Sequence, residues 1–137
     1  MSAVIETKIW LALKERVAAQ VALPVIWPLD MFDLDATKYQ VIVNYVPNAS
    51  TRPSLCNDET HYYDGLLVLT LMSPLSRTLD QITQKAATLV DAFPESARLE
   101  FDGVRVHIAK RGDITQTYRD AGMWRTPINI RWRQFGG

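Results

Sequence analysis

The spacing of hydrophobic and polar positions changes several times along the chain, and each change marks an element. From residue 2 to residue 21, Ile5, Ile9, Leu13, Val17 and Val21 recur every fourth position with Ala12 beside them, one apolar stripe on a helix. Ser2 is placed to cap this helix, Glu6 suits its N-terminal dipole, and Pro24 ends it. Val25 to Trp27 lies between Pro24 and Pro28 and suits only a sheet edge. Residues 39–46, YQVIVNYV, predict a strand with Val41, Val43 and Tyr45 on one face. The polar run PNASTRPSLCNDET follows, and a connection that long is expected to be functional or mobile. Residues 61–72, HYYDGLLVLTLM, are almost continuously apolar, which predicts a central strand covered on both faces.

The helical period returns in SPLSRTLDQITQKAATLVDAF. Leu79, Ile82, Ala86, Leu89, Val90 and Phe93 make its buried stripe, and Thr78 with Gln81 reads as a capping box. Asp102-Gly103 between RLEF and VRVHI signals a tight hairpin. KRGDITQTYRDAG reads as a polar connection, an extended arm without apolar anchors. The final strand starts at about Met123 and alternates. Trp124, Thr126, Ile128, Ile130 and Trp132 share one face; Met123, Arg125, Pro127, Asn129, Arg131 and Arg133 share the other. The pattern predicts an α+β fold, two helices on one mainly antiparallel, mixed sheet of about four to six strands. No linker or repeat divides the chain, so one domain is expected over residues 1–137.

Composition narrows the function classes. Fifteen basic residues balance fifteen acidic ones, so there is no general attraction to nucleic acid or anionic lipid. The single cysteine excludes an internal disulfide and a cysteine-based zinc site. The charged first twenty residues lack the apolar core of a signal peptide and the length of a membrane span, so a cytosolic product is expected. Without such a signal, the Asn48-Ala49-Ser50 tripeptide is read as coincidental.

Chemistry is sparse. His61 and His107 fall in no ligand spacing, and Cys56 in a polar loop near Arg52 reads as a tolerated free thiol. Asp30, Asp33 and Asp35 lack the glycine and closing glutamate of a calcium loop, and the scattered glycines build no phosphate cradle. No catalytic residue, cofactor or metal site is assigned. What stands out is the arginine face of the last strand. Such arginines either solvate a sheet face and guard an edge, or meet carboxylates across an interface, where bidentate pairing suits the guanidinium.

An ordered set of short motifs carries a resemblance. Val25-Ile26-Trp27-Pro28 follows the first helix, then come Tyr63-Asp64-Gly65-Leu66-Leu67-Val68-Leu69, Pro74 and an alanine-bearing helix ending in Ala92-Phe93. Gly103-Val104-Arg105-Val106 and the run Asp120-Ala121-Gly122-Met123-Trp124-Arg125-Thr126-Pro127-Ile128-Asn129-Ile130 complete it. In this order the chain resembles the tail-terminator proteins of long-tailed bacteriophages, apart from a longer loop between Pro47 and Thr60.

The resemblance implies a structural assembly protein rather than an enzyme: a subunit of a hexameric ring that caps the tail tube, stops its polymerisation and presents the head-joining surface. It implies three partners, namely further copies of the chain, the tail tube protein and the head–tail connector. It implies a place in the virion tail or neck, with assembly in the host cytoplasm. A head-to-tail ring needs two matching surfaces on each subunit. Arg125, Arg131 and Arg133 are the candidates for one, Asp30, Asp33 and Asp35 for the other. Two alternatives stay open: another neck or head-completion protein, and, in a different class, a small ligand- or peptide-binding module under the long loop.

Overall fold

A computed structural model of the chain describes residues 5–29, 34–47, 62–120 and 122–135. The elements run α1 (Ile5–Gln20), β1 (Val25–Ile26), β2 (Gln40–Pro47), β3 (Tyr62–Pro74), α2 (Leu79–Asp91), β4 (Arg98–Phe101) and β5 (Val104–Ile108). Three more follow: β6 (Asp113–Ile114), β7 (Tyr118–Asp120) and β8 (Met123–Phe135). The strands form one sheet in the order β1-β2-β3-β8-β5-β4, with β6 and β7 also paired to β8. Only β1 and β2 run parallel; the other pairings are antiparallel.

The α+β class is as the pattern predicts, but the sheet holds eight strands rather than four to six. The surplus comes from β6 and β7, pieces of two or three residues too short for an alternating pattern to register, whereas β1 is the edge strand expected between Pro24 and Pro28. The segment expected to be an unanchored arm supplies β6 and β7. Thr115 N–H donates to the Pro127 carbonyl at 2.9 Å, and Ile114 packs against the core, so the arm is bound to β8 by backbone and side chain together.

Both helices cover one face of the sheet. Ile9, Ala12, Leu13 and Val17 of α1 and Ile82, Ala86, Leu89 and Val90 of α2 share one cluster with sheet residues. Val41, Val43, Leu67, Leu69, Leu71, Ile128, Ile130 and Trp132 are among these, all buried. Trp124 is half-buried against this cluster. Leu79 departs from the expected stripe: it is 66% exposed, because it opens the first turn of α2 and overhangs the core. That turn is capped as predicted, with Thr78 N–H donating to Gln81 Oε1 at 3.0 Å. The helices are tied at one end by Arg16, whose Nε donates to the Ala92 carbonyl beyond α2 at 2.8 Å.

The hairpin is built as its sequence demands. Asp102 and Gly103 have φ of 48° and 81°, the paired left-handed residues of a turn whose twist matches the strands it joins. Lys8 of α1 reaches Asp102 at 3.1 Å, holding the turn against the helix.

Candidate functional site: the outer sheet face

Strand alternation sends half of the residues of β2, β3 and β8 away from the helices, and the register sets them in rows. Ile42, Thr70 and Pro127 form one row; Asn44, Val68 and Asn129 the next; Val46, Leu66 and Arg131 the third. Asp64, Arg133 and His107 make a fourth across β3, β8 and β5. Ile42, Leu66, Val68 and Pro127 are only half-buried, and Val46 is 42% exposed. No described helix lies over them. The face is therefore mixed: Ile42, Val46, Leu66, Val68 and Pro127 leave apolar area open to water, with Asn44 and Asn129 on either side of Val68.

The near-continuous apolar run of β3 predicts cover on both faces, and the structure corrects this. Leu67, Leu69 and Leu71 are fully buried beneath the helices. On the outer side only Thr70, Met72 and Pro74, towards one end of the strand, are buried, whereas Leu66 and Val68 are not. Near the covered end, Gln40 on the outer face binds the turn before it. Its Nε2 donates to the Asp35 carbonyl and, at 3.1 Å, to that of Lys38, and its Oε1 accepts from Asp35 N–H at 3.0 Å.

The three arginines do not act as one group. Arg125 reaches Asp120 in the adjoining β7 at 3.0 Å, off the N–H direction, so this is an ion pair without a hydrogen bond. Arg131 and Arg133 lie at the other end of the strand and are exposed. Arg131 has no ion-pair partner among the described residues. Arg133 sits in register between Asp64 and His107.

Of the three aspartates, Asp30 and Asp33 lie outside the described residues. Asp35 serves its own turn: it accepts from Thr37 N–H at 2.9 Å and from the Thr37 hydroxyl at 2.6 Å, and Lys38 lies 3.9 Å away. Hydrogen bonding from Thr37 holds this carboxyl below the usual carboxylate range. His61, Cys56 and the loop from residue 48 to residue 60 also lie outside the described residues. Among those described, no three His, Cys, Asp or Glu side chains are placed to share a metal ion, and no helix is long and apolar enough to cross a membrane.

Sequence reasoning centred on the arginines missed the exposed apolar side chains beside them. The signal was present in even-numbered Leu66 and Val68, which the alternation assigns opposite Leu67 and Leu69. An open face on which exposed apolar side chains alternate with amides and end at arginines is a surface suited to another protein.

A family model described as phage tail terminator protein matches residues 8–132. The chain belongs to the phage tail terminator protein family. Among solved structures, one chain is 21% identical with a TM-score of 0.65, covering 95% of this chain and 92% of its own. Another, from the virion of a native gene transfer agent particle, is 15% identical with a TM-score of 0.59, covering 98% of this chain and 100% of its own. At these identities both bear on the fold alone. Comparison with curated protein sequences finds no match. As a member of the tail terminator family the protein is a structural component of the phage tail or neck, which places it in the virion among other tail or head proteins.

Proposed function

We propose that the chain, as one domain over residues 1–137, is the subunit of a homo-oligomeric, hexameric ring. That ring caps the tail tube, ends its polymerisation and offers the joining surface to the head–tail connector. Assembly takes place in the host cytoplasm, and no cofactor takes part. The outer sheet face carries this reading: an uncovered patch built from Ile42, Val46, Leu66 and Val68, bordered by Arg131 and Arg133, leaves apolar area in water unless a neighbour covers it.

In the ring, Arg131 and Arg133 meet carboxylates of the next subunit, with Asp30 and Asp33 as the first candidates. Arg125 and Asp35 are held by contacts within their own chain. They act there by shaping the ends of the surface.

Charge reversal tests the reading. Arg131→Glu with Arg133→Glu leaves the monomer folded, since exposed substitutions generally cost within about 0.5 kcal/mol. Assembly fails, because like charges facing across an interface cost several kcal/mol. Adding Asp30→Lys and Asp33→Lys restores part of it, while these two alone also block it. The readouts are sedimentation of the purified protein with tail tubes, and micrographs of particles from a phage carrying the variants, in which unjoined heads and tails of irregular length are expected. Normal infectious particles from the arginine reversals would overturn the assignment of this face.

A further inference from the structure

On the helix side of the sheet, next to the start of β2, lies an open recess of about 380 Å³ lined by Tyr39, Arg77, Gln81, Gln84, Lys85 and Thr88. Two cations converge on one ring there: the Arg77 guanidinium is 5.3 Å and the Lys85 ammonium 5.1 Å from the centre of Tyr39. Among the described residues, no acidic side chain lines the recess. The carboxylates nearest in sequence are engaged elsewhere, Asp35 with Thr37 and Asp80 with Thr78 and the backbone of its own helix turn.

The neutral side chains add donors. Gln81 spends its carbonyl oxygen accepting from Thr78 N–H, so what it offers the recess is its amide N–H donors. Thr88 donates its hydroxyl to the Lys85 carbonyl at 2.6 Å, keeping its oxygen out of the donor set but fixing the turn beneath Lys85. Two like charges brought to one ring, Arg77 from the turn before α2 and Lys85 from the helix itself, repel unless an anion joins them. Tyr39 holds them together through its ring, so the recess is preorganised for a group that accepts hydrogen bonds and bears negative charge.

The geometry points to a receptor for a carboxylate presented by an acidic segment of another protein. A planar guanidinium beside primary amides fits the planar, two-oxygen carboxylate. Nucleic acid is disfavoured, because it is tracked by cations spread along a groove, and this chain concentrates two in one recess while remaining neutral overall. The site lies on the side of the sheet opposite the arginine face, with Tyr39 packed against the core beneath the helices.

The test uses the full chain and a tetraglutamate peptide at low salt, followed by nuclear magnetic resonance of the Tyr39 ring and the Gln81 and Gln84 side-chain amides. Saturable shifts of these signals are expected. Arg77→Gln with Lys85→Gln should weaken binding at least about tenfold, the loss of one charge-assisted hydrogen bond or more. Lys14→Gln, which removes the cation stacked on Trp27, should leave binding unchanged. Tetraglutamine should not bind. Should the double variant lose its fold, Lys85→Gln alone is read in the same way. The proposal is overturned if tetraglutamate leaves Tyr39 unmoved, if the recess variants bind as well as the parent, or if inorganic phosphate or an oligothymidylate binds these residues as tightly as the peptide.

Discussion

Gly65 lies in the middle of a core strand because two neighbours occupy the space a side chain would need. A Cβ there would meet the Val46 carbonyl and, at 2.7 Å, the Trp132 ring, which crosses β3 directly opposite in the register. Backbone and a wedged indole yield less readily than a flexible side-chain end. Gly65→Ala is therefore expected to cost about 1–3 kcal/mol in urea unfolding. Gly112→Ala should cost less, since its obstacle is the tip of Ile130 at 2.6 Å. Trp132 also stacks on Tyr45, with centroids 5.7 Å apart. Burial, with a smaller contribution from Glu6, pushes the Tyr45 hydroxyl up to about 12 from its ordinary 10.0. Above pH 10 the unfolded chain ionises this group while the folded chain still holds its proton, so its contribution to stability is complete below pH 10 and fades as pH rises towards 12. Tyr45→Phe should flatten that fall, read as unfolding midpoints across the alkaline range.

At the level of elements, the most legible parts were those with long periods or a distinctive turn. Both helices, the Asp102-Gly103 hairpin and the starts of β2 and β8 follow from residue patterns alone. Leu79 shows where period reasoning fails: spacing placed it on the stripe, but a stripe residue is buried only where something lies beneath it. Leu89→Ala should cost about 2–5 kcal/mol, as for a fully enclosed leucine. Leu79→Ala should stay within about 0.5 kcal/mol in the same denaturation assay. β6 and β7 escaped notice because nothing in their own residues specifies them. They are strands because β8 runs past β5 and leaves a line of backbone donors and acceptors that the preceding chain can satisfy.

For the whole molecule, the class of function was readable from ordered motifs spanning the chain, while the surface proposed to carry it was only half readable. Arginine draws attention in a sequence, whereas a half-buried leucine is recognised only once the helices are seen to lie on one side. Leu66→Ser on the open face should leave the unfolding transition within about 1 kcal/mol of the parent, because the side chain is already partly in water. It should nevertheless weaken association with tail tubes in sedimentation. Equal association by this variant would remove the exposed apolar side chains of this face from the interface.

The place of β8 in the sheet has a bearing on when the protein can fold. It is last in the order of elements and central in space, with β3 along one side and β5, β6 and β7 along the other. While the chain is being made, β3 can pair with β2, but its other edge stays open until residues 123–135 emerge. Most of the sheet then closes in one late event that joins residues far apart in sequence, an arrangement that favours slow folding. Until that moment β3 carries an unpaired apolar edge, the feature most prone to pairing with the wrong chain. Production at lower temperature and slower synthesis should accordingly raise the soluble yield more than changes to the exposed charges do.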